Sequence, residues 1–188
     1  MQALITSGRR EFTAEGFSGA SLDRIAEQAG LTKGAIYHHF GSKIGLFEAV
    51  FRDAEHEIVR RIESRAESAS SLAEGIRSGC EAFLDVAVDD ELRRITLEDG
   101  PRVLGWSAWR AIDAEFGLGS LKEGIAACER NGLISGYDPD VLAHMISGAL
   151  NEAVFLIAEA EDRGRVREEV SHALGALLAF FEDAPERE

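Results

Sequence analysis

The sequence predicts an all-α fold, and three observations carry that prediction. Apolar residues recur at helical spacing in almost every segment. Runs of β-branched residues long enough for strands are few. Glycines, together with capping Ser, Thr and Asp residues, punctuate the apolar segments where helices should start and stop. Only three prolines occur in 188 residues, of which 45% are apolar. A chain of this length buries roughly 70% of the surface its unfolded form exposes, enough for one substantial core.

Taken in order, residues 2–15 place Leu4, Ile5 and Phe12 on one helix, stopped by Gly16. Ser21 caps a short helix whose Leu22, Ile25, Ala26 and Ala29 fall at i, i+3, i+4 and i+7, and Gly30 ends it. Thr32 caps the next segment, which runs to about His39 before Gly41. Ser42 then caps a long helix to about Ser64, with Phe47, Val50, Phe51, Ala54, Ile58 and Ile62 on one face. Segment 71–88 repeats the pattern with Leu72, Ile76, Cys80, Phe83, Leu84 and Ala87. An acidic stretch, 89–99, ends at Gly100-Pro101, read as a breaker. Residues 102–116 and 120–131 read as two helices, the second closed by Asn131-Gly132. Asp138-Pro139 is an N-cap with a proline at the first helical position, opening a long helix to about Glu161. The last helix, 165–182, spaces Val166, Val170, Leu174, Leu177 and Phe181 by 4, 4, 3 and 4. The total is about nine helices, with a tail "EDAPERE" expected to fray.

Charge divides the chain. Residues 1–53 hold six Lys/Arg and six Asp/Glu, whereas 54–188 hold 14 against 28 and so carry the whole net charge of −14. The asymmetry suggests two functional parts, 1–47 and 48–188. The acidic part repels nucleic acid, so any such contact must use a few cations near the N-terminus. No run of 18 uncharged apolar residues exists, which excludes a membrane span on this criterion. The N-terminus does not read as a signal peptide, because Arg9 and Arg10 follow the apolar residues and Glu11 and Glu15 come next. Cys80 and Cys128 lack metal spacing and read as small buried apolar residues in a reducing cytoplasm, with a disulfide as the alternative.

Chemistry concentrates in "LTKGAIYHHFGSK", residues 31–43. A metal site is disfavoured: His38 and His39 are adjacent and should point in different directions, and His56, His144 and His172 are scattered. Neither Gly-x-Ser-x-Gly nor a P-loop occurs, so no catalytic residues, no cofactor and no enzyme are expected. Helices 22–29 and 33–39, joined by "AGLT", instead have the lengths and glycine turn of a helix-turn-helix. Ile36 and Phe40 face inward, which turns Lys33, Gly34, Tyr37 and His38 outward. Gly34 and Ala35 leave the helix front nearly bare, at a cost of about 1 kcal/mol for the glycine relative to alanine. Tyr37 offers a hydroxyl on a rigid ring to a phosphate oxygen. Lys43, in the first turn of the next helix, joins a cation to free backbone amides as a phosphate clamp. Ser21 can place its hydroxyl on the same backbone. Asp23 either accepts from a cytosine amino group or caps its own helix, and the cap is favoured.

"SLDRIAEQAGLTKGAIYHHFGSKIGLFEAV" resembles the DNA-binding region of the tetracycline-repressor (TetR) family of bacterial transcriptional regulators. The likeness spans residues 4–51, and "PRVLGWSAWRAIDAEFGLG" and "GALNEAVFLIAEA" are similar to parts of family members too. The resemblance implies that Lys33, Gly34 and Ala35 read bases, that Ser21, Thr32, Tyr37, His39 and Lys43 hold phosphates, and that His38 contacts either. Family members usually carry several residues, often basic, before the first helix, whereas here Met1 falls almost inside it.

The resemblance also implies a homodimer, a double-stranded DNA operator and a small-molecule effector. The last two helices, through Met145, Gly148, Ala149, Ala153, Leu174, Leu177 and Phe181, would form the dimer interface. Candidates for the effector pocket are Phe83, Trp106, Trp109, Phe116 and Asn151, although core packing explains each tryptophan equally well and an interface hydrogen bond suits Asn151. Together these give a cytoplasmic repressor released from a palindromic operator by its ligand. The competing reading is a helical ligand-binding or structural dimer with an impaired head.

Overall fold

The computed structural model describes residues 1–179. Among these the chain is helical from end to end and contains no strand. Two compact units form, Met1–His56 with Asp90–Ile112, and Glu57–Asp89 with the chain from Asp113 onward.

The first unit begins with α1 (Gln2–Gly19), whose helical dihedrals break at Gly16, where φ is 66° and ψ 170°. That conformation is essentially restricted to glycine. The expected stop is therefore present as a kink, and one further turn follows it. Helices α2 (Leu22–Gln28) and α3 (Lys33–Phe40) end at Gly30 and Gly41, both with positive φ. α4 (Lys43–Glu67) starts in this unit. Phe12 packs edge-on against Phe47 with ring centroids 5.2 Å apart, and Phe17 stacks on Phe12. Leu4, Ile25, Ile36, Leu46, Val50 and Phe51 complete a core closed to solvent. Each such side chain contributes roughly 1.5–3 kcal/mol through its removal from water.

Residues 90–104 differ from the sequence expectation. The acidic stretch is helical: α6 (Asp90–Leu92), a π-helical segment Arg93–Asp99, and α7 (Gly100–Leu104) follow without a coil between them. Leu92, Ile95 and Thr96 are buried there, and that burial outweighs the local charge. Pro101 lies in the first turn of α7, where its fixed φ suits the helix, and it does not break the path. It does leave the Thr96 carbonyl, five residues earlier, without the π-helical donor. The Trp109 indole N–H donates to that carbonyl instead, at 2.8 Å.

The chain break falls at Gly105, with φ 81°, rather than near Gly117 and Gly119. The two helices expected at 102–116 and 120–131 are accordingly one, α8 (Trp106–Arg130).

In the second unit α5 (Leu72–Leu84) runs into a 3-10 turn, Asp85–Ala87, and packs with α9 (Pro139–Glu159) and α10 (Arg163–Leu178). The Asp138 carboxylate caps α9 through the amides of Asp140 and Val141, as its Asp-Pro start predicts. Arg167 anchors α10 to α5 and the turn through Glu81 and Asp85, both at 2.8 Å. α9 is long and apolar enough by length and composition to cross a membrane, a feature that an uncharged-run criterion passes over. It is amphipathic: Ala143, Leu150, Val154 and Ile157 are buried, while Val141, Met145 and Leu156 are exposed. Cys80 and Cys128 are free, buried thiols, and burial pushes Cys80 up to about 12. Phe181 and the tail "EDAPERE" lie outside the described residues.

Candidate nucleic-acid interface

The recognition segment hangs on one buried side chain. Ile36 is closed to solvent and is the one fully buried residue of α3, while Thr32, Lys33, Gly34, Tyr37, His38 and His39 are all exposed. Ala35 and Phe40 are half-buried. The corner after α3 is tight, since a Cβ on Gly45 would run into the Phe40 carbonyl. Glycine at 45 thus lets α4 begin directly beside the end of α3.

Gly34 is different. A Cβ added there meets nothing nearer than the Thr32 hydroxyl at 3.6 Å, an ordinary contact. No packing inside the chain requires the glycine, although it costs helix stability by about 1 kcal/mol. The bare backbone is open to whatever approaches α3 from outside.

The capping groups divide into two kinds. The Ser21 hydroxyl accepts from the Arg24 amide at 3.4 Å, and the Ser42 hydroxyl accepts from the Gly45 amide at 3.0 Å. Thr32 has the extended backbone of an N-cap, but its side chain makes no capping bond. Its hydroxyl is not committed to the helix start, contrary to the expected cap.

The cations have partners. Lys33 Nζ donates to Asp23 Oδ2 at 2.9 Å. Asp23 therefore neither caps α2, which Ser21 does, nor stands alone at the surface. Lys43 Nζ donates to the Ala20 carbonyl at 2.6 Å and lies 4.9 Å from the Phe17 ring centroid. These contacts tie the start of α4 to the end of α1. The His38 and His39 rings meet edge to face at 5.1 Å, so they do not diverge as helical spacing alone suggests.

Sequence reasoning missed the group beneath this surface. Glu11 is buried and takes Arg24 Nε at 2.8 Å, Arg24 Nη2 at 2.5 Å and the Ser21 amide at 2.9 Å. The Arg24 hydrogen bonds hold its carboxyl below the usual glutamate range, against an opposing desolvation. This buried carboxylate locks α1 to the first turn of α2. The signal was available: Glu11 stands next to Phe12 on a helix whose other face is solvated.

In the second unit a cavity of about 670 Å³ opens among α4, α5, α8 and α9. Phe83 and Asn151 line it. Trp106, Trp109 and Phe116 do not: Trp109 is buried against Thr96, and Trp106, largely exposed, stacks on it at 5.0 Å. Asp113, overlooked in the sequence, also lines the cavity and accepts from Asn151 Nδ2 at 3.1 Å. Asn151 Oδ1 is buried and has no hydrogen-bond partner, a defect that costs about 1–3 kcal/mol. Among the residues named for an interface between copies, Met145 and Leu177 are more than 60% exposed, Gly148 and Ala149 are exposed and Ala153 is half-buried. Leu174 is the correction, being buried within its own unit.

Both parts of the chain match known proteins. Residues 4–50 match the family profile of bacterial regulatory proteins of the tetR family, and residues 73–180 match the tetracyclin repressor-like C-terminal domain. The crystal structure of a TetR-family transcriptional regulator from Pectobacterium atrosepticum is 34% identical, covers 98% of this chain and 95% of its own, and superposes with a TM-score of 0.84. The transposon Tn10 TetC protein of Escherichia coli is 27% identical over 78% of this chain and 74% of its own. The transcriptional repressor AcnR of Corynebacterium glutamicum is 42% identical over 52 residues, 28% of each chain. With both of its parts matched, the chain belongs to the TetR family of DNA-binding transcriptional regulators.

Proposed function

We propose that this regulator is a cytoplasmic homodimeric repressor that a small molecule releases from a palindromic operator. The observation that carries the DNA reading is Gly34, a helical glycine on an exposed surface that no internal contact requires. Lys33, Gly34 and Ala35 read base edges in the major groove. Ser21, Thr32, Tyr37, His39 and Lys43 grip phosphates, and His38 touches either. One helix-turn-helix makes few base contacts, and a twofold copy supplies the second half-site. Met145, Gly148, Ala149, Ala153 and Leu177 present the face for that copy, which supports the dimer. In this reading residues 1–47 are the DNA-binding part and 48–188 the ligand-binding and dimerisation part.

The cavity supports the effector reading, since its volume lies within the roughly 300–1,000 Å³ usual for small-molecule sites. α4 contributes Lys43 to the head and Ile62 to the cavity wall, so a ligand that displaces this helix changes the reading surface. A coupling of about 1–3 kcal/mol changes operator affinity roughly 5- to 150-fold.

A second reading draws on the engagement of Lys33 by Asp23 and of Lys43 by backbone carbonyls: a ligand-binding dimer whose head binds DNA poorly. Salt titration separates the two. A functional head loses about 0.9 log unit of affinity per log unit of salt for each phosphate neutralised. Lys43→Ala then shallows that slope by about one such unit without changing sequence preference. Identical slopes for wild type and Lys43→Ala rule out the clamp.

A further inference from the structure

We propose that the cavity takes an uncharged molecule that carries a hydroxyl group on an apolar body, an inference that rests on the effector reading above. Its walls are apolar, with Ile62, Ile76, Phe83, Leu118, Leu121 and Leu150 lining it. Among the described residues no Lys, Arg or His lines it, and Glu63, Glu67 and Glu123 stand at its solvent-exposed margin. A buried anionic head group therefore finds no counter-charge, and it meets like charge on the way in. A cation gains little either. Water and salt screen the margin carboxylates, and Asp113, deeper in the wall, is already engaged by Asn151 and by a further contact. Burying an ion without a free partner costs far more than burying a hydroxyl that finds one.

The second observation concerns a single polar group. Asn151, 8% exposed, donates through Nδ2 to Asp113 Oδ2 at 3.1 Å. That bond fixes the sense of the amide, because the flipped arrangement would set oxygen against a carboxylate. Asn151 Oδ1 is left buried, with no hydrogen-bond partner among the described residues. An amide oxygen only accepts, so what it lacks is a donor. The terminal torsion of an asparagine is soft, which lets this oxygen turn toward a donor in the cavity that its residue lines. Ser147 lines the cavity one turn earlier on α9 and brings a hydroxyl, which donates as well as accepts. A ligand hydroxyl, donor and acceptor at once, answers both residues. An ether accepts only and leaves Asn151 Oδ1 without its donor.

The test is calorimetry on the full chain at neutral pH with matched probes, each below its solubility or micellar limit: 1-octanol, its isomer 1-methoxyheptane, octanoate and octylammonium. Octanol is expected to bind about ten-fold more tightly than the ether, with both ions weaker than octanol. Asn151→Leu, close in volume and without the acceptor, is expected to erase octanol's advantage while keeping the ether affinity within about two-fold. Ether binding to wild type as tightly as octanol overturns the inference but leaves the cavity as an effector site. Tighter binding of octanoate or octylammonium than of octanol does the same. Binding by none of the probes overturns the effector reading itself, and the inference with it. An Asn151→Leu protein that keeps the full preference for octanol overturns the assigned acceptor. If that variant does not fold, the comparison of probes on wild type decides alone.

Discussion

Lys33 Nζ and Asp23 Oδ2 lie 2.9 Å apart, joining the first residue of the recognition helix to the first turn of the helix before it. The pair is exposed on both sides and screened by solvent, so it adds little to the fold. In the proposed function its larger effect falls on DNA, because Asp23 places a negative charge beside the base edges that Lys33 reads.

Asp23→Asn should therefore raise operator affinity about three- to ten-fold while leaving the urea midpoint almost unmoved. Fluorescence anisotropy on a fixed operator checks this. A loss of affinity confined to sites with one particular cytosine would instead make Asp23 a base-reading group.

Gly34→Ala separates fold from function. The added methyl has room, and alanine is the better helix former by about 1 kcal/mol, so the variant should be as stable as wild type or more so. Its DNA affinity should fall at least ten-fold, about 1.4 kcal/mol, if the backbone approaches a groove floor. Thermal unfolding and anisotropy on the same preparation measure both.

Glu11→Gln should cost about 1–3 kcal/mol at neutral pH, since the charged hydrogen bonds from Arg24 are weakened. The pH dependence has a defined sign. The folded pKa lies below the ordinary value of 4.5, so the stabilisation is complete above that value and is lost as pH falls through the lower, folded one. Wild type should lose more stability than Glu11→Gln on acidification below about pH 4.5. Urea titrations at neutral and acid pH compare the two.

Met145→Glu and Leu177→Glu test the face offered to a second copy. Both side chains are largely exposed, so neither change should destabilise the protomer by more than about 0.5 kcal/mol. Sedimentation should show a dimer giving way to monomer. A dimer unaffected by both changes places the twofold contact elsewhere.

Helices with clear punctuation were legible in the sequence. Ser21, Gly30, Gly41 and Asp138 act locally, and each does in the structure what its chemistry dictates. Thr32 shows the limit, because N-cap backbone geometry does not oblige the side chain to cap. Gly100-Pro101 and Gly117 misled for a related reason. The donor that Pro101 lacks is replaced by the Trp109 indole N–H, and a glycine inside a long helix is outvoted by neighbours that pack.

In the head, the outward set Lys33, Gly34, Tyr37 and His38 followed from two residues read as inward, Ile36 and Phe40, of which Ile36 is buried and Phe40 half-buried. The partners of the cations did not, since Asp23 and Glu11 are recruited by the fold from ten and thirteen residues away. The cavity was the least legible. Aromatic residues suggested it, but Trp109 fills a core, and the polar pair Asp113–Asn151 spans 38 residues that no local pattern connects.

The most direct test of the central claim is selection of binding sites from a random DNA pool by the purified protein, with Tyr37→Ala in parallel. The account expects an inverted repeat with half-sites about one helical turn or a multiple apart, enriched by wild type and not by the variant. Failure of wild type to enrich any sequence, or equal enrichment by Tyr37→Ala, would contradict it.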